Sequence, residues 1–194
     1  MLDTPRITAA FELAARVHAR QRRTGTKIPY IAHPMAVASQ VLVWGGSEDQ
    51  FIAALLHDVL EDGGAQYVPV IAEKFGPNVL RMVEGLSDAV PQPGEKKAPW
   101  LERKTRYLAH LAEAGDDTLL VSIADKWHNL SSILADVRAM GDDLYLRFVK
   151  EAADRAEKKR LTLWYYSELV GIYERRGVPG AAALRALLEE VRRA

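Results

Sequence analysis

The sequence contains no cysteine. That excludes disulfides, thiolate metal ligands and a cysteine nucleophile, and it fits a reducing compartment. Net charge is also missing: Lys plus Arg and Asp plus Glu number 26 each, so no global field draws the chain to nucleic acid or to an anionic membrane. Any affinity for phosphate must then be local. No apolar run is long enough to span a bilayer, and Met1 to Pro5 lack the basic and apolar regions of a signal peptide. Strand patterning, internal repeats and low-complexity tracts are absent as well. These absences predict an all-α, cytoplasmic protein with neither nucleic acid nor membrane as partner; a homo-oligomer stays open.

What is present is 194 residues, 48% of them hydrophobic, enough for one sizeable core and short for two. One domain over residues 1–194 is expected, with its core over about 5–166 and C-terminal helices over 167–194. Thr4 and Pro5 read as the N-cap and first residue of a helix to about Gln21, with Ile7, Ala10, Phe11, Ala14 and Val17 at helical spacing. A basic loop follows, Arg22-Arg23-Thr24-Gly25-Thr26-Lys27-Ile28-Pro29-Tyr30, and His33-Pro34 opens the next helix. Two arginines in such a place either complement the helix C-terminus or bind a ligand. Ser47 with Gln50 forms a capping-box pattern for a third helix that runs on through Leu56 to Asp62 and stops at Gly63-Gly64. Val70 to Phe75 and Pro77 to Leu86 read as two short helices, and Ser87 to Pro99, rich in proline, as a loop. Further helices are predicted from Pro99, from Asp116 to about Met140, through Phe148, Ala152 and Ala156, up to Arg176, and from Pro179 to Arg193.

The third helix carries four ionisable residues in an apolar setting: His57, Asp58, Glu61 and Asp62. Side chains four apart share a helical face, so His57 falls over Glu61 and Asp58 over Asp62. Two readings are open for these residues, a satisfied polar pair at the end of a core helix or part of a metal or catalytic site. Asp125 interrupts another run that reads as buried, where an acid is unfavourable unless paired or metal-bound, and Asn129 stands one turn on. His33, His57, Asp58 and Asp125 together make a nitrogen and oxygen set suited to a divalent ion such as Mn²⁺, Zn²⁺ or Fe²⁺.

This pattern, a His, an adjacent His-Asp and a distant Asp, resembles the HD-domain metal phosphohydrolases. His33-Pro34 after Pro29-Tyr30, Leu55-Leu56-His57-Asp58 with Glu61-Asp62, and Asp125-Lys126 with Asn129 are similar to the hydrolase domain of the stringent-response alarmone enzymes, in particular their small stand-alone branch. The resemblance implies one ion, usually Mn²⁺, held by His33, His57, Asp58 and Asp125. It implies Glu61 and Asp62 as the catalytic pair, and Arg22, Arg23, Thr24, Tyr30 and Asn129 as contacts to a small-molecule nucleotide. The implied reaction removes the 3′-pyrophosphate of guanosine tetra- or pentaphosphate (ppGpp, pppGpp), giving GDP or GTP. Alternatives are the same reaction on adenosine analogues, removal of the 2′-phosphate of NADPH, or a catalytically silent nucleotide-binding module. His18 and His110 read as packing or surface residues, and the role of His128 is open. Lys96, Lys97, Arg103 and Lys104 flank the irregular loop and read as a solvated charge run. Trp127 and Ser131 depart from the Leu and Arg that the family often has, which predicts a reshaped base pocket and a lost phosphate contact. With no synthetase or regulatory segment in the sequence, alarmone synthesis is not expected.

Overall fold

The computed structural model describes residues 3–87 and 98–194. Among these residues the chain forms nine α-helices: α1 (Thr4–Val17), α2 (Ala32–Val43), α3 (Glu48–Leu56), α4 (Val59–Gly63), α5 (Tyr67–Leu86), α6 (Trp100–Glu113), α7 (Asp116–Met140), α8 (Arg155–Arg175) and α9 (Ala181–Arg193), with a 3₁₀ segment at Gly141–Arg147. The described residues hold no strand beyond an isolated bridge between Arg22 and Pro29. The all-α reading therefore stands. The loop read over Ser87 to Pro99 lies for the most part, residues 88–97 with Lys96 and Lys97, outside the described residues.

The axis of the fold is α7. Every residue from Thr118 to Asp125 is buried, and Leu130, Ile133, Leu134 and Val137 continue the buried surface. A helix apolar on all sides needs neighbours all round, and α2, α3, α5, α8, α9 and the 3₁₀ segment pack against it. Asp116 and Asp117 place negative charge in its first turn, where the helix dipole favours it. Packed beside α7 and α2, α3 buries Ile52, Ala53, Ala54, Leu55 and Leu56. Leu56 is fully enclosed, so truncating it to alanine costs about 2–5 kcal/mol.

Several boundaries depart from the sequence reading for local reasons. Asp3 is the N-cap of α1, and the helix stops at His18 instead of Gln21 because the next residues fold back as a hairpin. In that hairpin Tyr30 N–H donates to Gln21 O and Arg23 N–H to Ile28 O. Helix α2 starts at Ala32, which puts Pro34 inside the first turn, where a missing N–H costs nothing. The capping box is present: Gln50 N–H donates to Ser47 Oγ, and Ser47 N–H to Gln50 Oε1. The third helix, however, is not continuous. It closes at Leu56, and after His57 and Asp58 (φ −96°, ψ −1°) the chain resumes as the single turn α4. The two short helices merge into α5 around a kink at Gly76, whose φ of 85° lies in the region that favours glycine.

C-terminal to α7 the reading through Phe148, Ala152 and Ala156 is corrected. The 3₁₀ segment ends at Arg147, and α8 begins only at Arg155, capped by Asp154 accepting from Glu157 N–H. Between them, Lys158 Nζ donates to the carbonyls of Phe148 and Val149, so side-chain amine replaces helical bonding there.

Candidate metal centre

Three places in the fold converge on one buried point. The first turn of α2 brings His33, the break between α3 and α4 brings His57 and Asp58, and the middle of α7 brings Asp125. His33, His57 and Asp125 are all buried, and Asp58 is nearly so. At the break His57 keeps helical backbone angles while Asp58 departs from them, and the two side chains meet: His57 Nε2 lies 2.9 Å from Asp58 Oδ2. His33 Nε2 is 3.2 Å from His57 Nε2 and 3.7 Å from Asp58 Oδ2. Asp125 Oδ1 closes the set at 3.1 Å from His33 Nε2 and 3.7 Å from His57 Nε2.

The donor set fits a divalent ion. Metal bonds of about 2.1 Å at right angles put neighbouring ligand atoms about 3 Å apart, which is the spacing seen here, and the ligand atoms of His33, His57 and Asp58 all lie within 4.8 Å of one another. Further hydrogen bonds hold these side chains in place, two of them on the carboxylate oxygens that face the cluster. His57 Nδ1 donates to Ala54 O at 2.8 Å, so its Nε2 is the nitrogen that faces the cluster. Tyr30 Oη donates to Asp58 Oδ2 at 2.6 Å, Lys126 Nζ to Asp125 Oδ2 at 2.5 Å, and Asn129 Nδ2 to Asp125 Oδ1 at 2.5 Å.

Electrostatics follow from this crowding. Burial disfavours the imidazolium of His57, but Asp58 and Asp125 outweigh it and raise the pKa to about 9. For His33 burial wins over the pull of Asp125, and the pKa is lowered. Asp58 and Asp125 are both held below the ordinary carboxylate range in spite of burial, the first by His57 and the second chiefly by Lys126. Burial and the Asp58 carboxylate push the Tyr30 phenol well up, which keeps it a donor. His128 is lowered to about 4 by burial and by His33.

Beside the cluster opens a cleft of about 430 Å³. Arg23, Thr24, Tyr30 and Asn129, all predicted from sequence, line it. The Arg23 guanidinium donates to Asn129 Oδ1 at 2.7 Å and lies 5.8 Å from the centre of the Tyr30 ring. A chain of contacts thus joins the cleft wall to Asp125. Arg22 does not join them: it is exposed and donates to Lys27 O at 2.6 Å, which braces the hairpin from outside. Trp127 packs edge-on against Trp44 at 6.1 Å, and neither it nor Ser131 is among the described residues that line this cleft.

Glu61 and Asp62 follow directly in α4, the first half-buried and the second more open. Asp62 Oδ2 accepts from Gln21 Nε2 at 2.8 Å. Sequence reasoning missed Gln21, the paired cation Lys126 and the opposite cleft wall, where Arg147, Phe148 and Tyr166 stand. Arg147 is held there by Asp136 at 2.8 Å, and it packs so closely on Gly25 that a Cβ at that position would meet its Nε at 2.6 Å. For Lys126 the signal was its place next to Asp125; for Arg147 there was none, since only the tertiary fold brings it to the hairpin.

An all-helical chain with two imidazoles and two carboxylates gathered beside a cleft defines a helical protein with a candidate metal centre. The chain belongs to the HD-domain family, whose model, described as HD domain, matches residues 10–153. It is 35% identical over 134 residues to the guanosine-3′,5′-bis(diphosphate) 3′-pyrophosphohydrolase MESH1 of Xenopus tropicalis, covering 68% of this chain and 71% of that protein. The Homo sapiens MESH1 is 34% identical over the same shares. A pyrophosphohydrolase of Aquifex aeolicus is 35% identical over 66% of this chain, but the match spans only 18% of that longer protein. Among solved structures, one described as a metazoan ortholog of SpoT that hydrolyzes ppGpp superposes with a TM-score of 0.74 at 23% identity, over 100% of this chain and 97% of that one. The HD-domain fold is thereby established. Among the described residues, no helix is long and apolar enough to cross a membrane.

Proposed function

We propose that this protein is a divalent-metal hydrolase that removes the 3′-pyrophosphate of guanosine tetra- and pentaphosphate. The observation that carries the reading is the cluster of His33, His57, Asp58 and Asp125 beside a cleft whose lining residues Tyr30 and Asn129 bond directly to Asp58 and Asp125. The names of the similar proteins from Xenopus tropicalis and Homo sapiens support the substrate. The four cluster residues hold the ion, which we take to be a single Mn²⁺. When bound, it lowers the pKa of a coordinated water and offsets the charge of the phosphates.

The chain's own residues do the rest. Arg23 and the neighbouring Tyr30 ring receive the nucleotide, with a guanidinium able to stack on a base or pair with phosphate oxygens. Asn129, already bonded to Arg23 and Asp125, sets the spacing between that contact and the cluster. Glu61 and Asp62 orient the attacking water and take its proton as its oxygen bonds to the phosphorus next to the ribose. The P–O3′ bond then breaks, pyrophosphate departs, and the same carboxyl pair returns a proton to the 3′ oxygen. A water-soluble nucleotide as substrate agrees with a cytoplasmic location.

A panel assay tests this reading. Mn²⁺-loaded protein is given guanosine tetraphosphate, its adenosine analogue and NADPH, with Asp58→Ala as control. Pyrophosphate and GDP from the first substrate, lost in the control, are the expected result. Turnover confined to NADPH or to the adenosine analogue would overturn the substrate, and turnover surviving Asp58→Ala would overturn the metal cluster.

A further inference from the structure

The residues that close α1 reach the catalytic pair through a relay that the proposed reaction does not yet use. His18 is almost wholly buried, 2% exposed, at the C-cap of α1. Its Nδ1 lies 2.7 Å from Gln21 Oε1, and Gln21 Nε2 donates to Asp62 Oδ2 at 2.8 Å. The direct gap from His18 Nδ1 to Asp62 Oδ2 is longer, 3.8 Å. These atoms fix one another's roles. A carboxylate only accepts, so the Gln21 amide must turn its nitrogen to Asp62 and its oxygen to His18; that oxygen only accepts, so the His18 proton sits on Nδ1. The His18 ring also packs on Tyr30 at 4.9 Å, while its Nε2 is buried with no hydrogen-bond partner among the described residues.

We infer that His18 and Gln21 are positioning residues for Asp62. The histidine locks the glutamine amide in one orientation, and the amide occupies Asp62 Oδ2, which fixes the carboxylate and leaves its second oxygen for the reacting water. This rests on the reading of Asp62 as part of the catalytic pair. The Gln21 side chain bonds to His18 and Asp62 and to no residue of the metal cluster, so its contribution belongs to the chemical step; His18 also packs on Tyr30, and a ring retained at that position separates the packing from the bond.

The test uses Mn²⁺-loaded full-length protein, guanosine tetraphosphate and four variants. His18→Phe keeps a ring against Tyr30 but loses the donor, and His18→Asn keeps an N–H near the position of Nδ1. Gln21→Leu breaks the relay, and the fourth variant combines Gln21→Leu with His18→Phe. The expected kcat falls roughly 10- to 100-fold in His18→Phe and Gln21→Leu, with KM and Mn²⁺ affinity within about twofold of the parent. His18→Asn should recover most of the rate, and the double variant should be no slower than Gln21→Leu alone. Unchanged kcat in Gln21→Leu, losses in the double variant that multiply, or a fall in Mn²⁺ affinity that accounts for the lost rate would each overturn the inference. Asp62→Asn separates this from the underlying reading: a parental rate there removes Asp62 from catalysis, whereas a slow Asp62→Asn with a parental Gln21→Leu removes only the relay.

Discussion

His33 and His128 face each other through their Nδ1 atoms at 2.8 Å. Two ring nitrogens at that distance share a single proton. For His33 to offer the Nε2 lone pair to the cluster, that proton must sit on its own Nδ1, with His128 as acceptor. Such a partner orients the ring and fixes its tautomer. His128→Leu is therefore expected to weaken Mn²⁺ binding by about 10- to 100-fold, while His128→Asn, which restores an oxygen acceptor, stays within a few-fold. Calorimetric titration of metal into each variant checks this, and tight binding by the leucine variant would remove His128 from the support of the site.

Asp125 and Lys126 form the second supporting pair. The ammonium binds Asp125 Oδ2 at 2.5 Å and lies 5.2 Å from the centre of the Tyr107 ring, in a setting largely shielded from solvent. Removing one partner of a buried pair leaves the other charge uncompensated, at a cost of about 3–5 kcal/mol. Lys126→Met should lose stability on that scale when unfolded with urea in the presence of chelator. Excess Mn²⁺ should restore part of it, because a cation bound only by the folded state shifts the equilibrium. A loss untouched by Mn²⁺ would mean that the ammonium supports packing alone.

Stability of the metal-free protein should peak near pH 6.5. Between pH 6.5 and 9 the folded protein keeps a proton on His57 that the unfolded chain has released, since the folded pKa is about 9. Stability then falls as pH rises, by on the order of 3 kcal/mol across the window. Below 6.5 the sign reverses: His33 and His128 are lowered, so the unfolded chain takes up protons first and stability falls as pH drops. Urea midpoints at pH 5, 6.5 and 8.5 measure both slopes. Equal midpoints at 6.5 and 8.5 would mean that His57 carries no extra proton. Loading the site should instead release close to one proton per Mn²⁺ at pH 7.5, readable by calorimetry in buffers of different ionisation enthalpy.

What could be read in the sequence was the chemistry of the residue types, and what could not was contact across the chain. His57-Asp58 inside an apolar run and Asp125 inside another announced themselves as polar groups in need of partners, and the fold brings them together. The break after Leu56 left no trace, because the apolar spacing continues across it into Val59 and Leu60. Helical spacing through Phe148, Ala152 and Ala156 misled in the other direction: Lys158 satisfies two carbonyls there, and Val149 sits at φ 42°, so the backbone needs no helix. Gln21 reaches Asp62 across 41 residues of sequence, a contact set by how the hairpin folds onto α4 and by nothing local.

The adjacent arginines give the sharpest contrast between sequence and structure. Residue type, spacing and charge make Arg22 and Arg23 equivalent, yet the Arg22–Pro29 bridge turns successive residues of the hairpin to opposite sides. Arg23 consequently lines the cleft, tied to Asn129, while Arg22 braces Lys27 O on the outside. A surface guanidinium bonded to one loop carbonyl contributes little, whereas a guanidinium in the cleft that meets a polyanionic nucleotide contributes charge-assisted bonds of about 1.5–3 kcal/mol each. Arg23→Ala should accordingly raise KM for guanosine tetraphosphate by about tenfold or more, and Arg22→Ala should leave it within about twofold. Arg23→Lys separates charge from shape, since an ammonium keeps the charge but neither stacks nor donates in a fork. Recovery of the parental KM by lysine would reduce the role of Arg23 to a point charge, and equal effects of Arg22→Ala and Arg23→Ala would place the nucleotide outside this cleft.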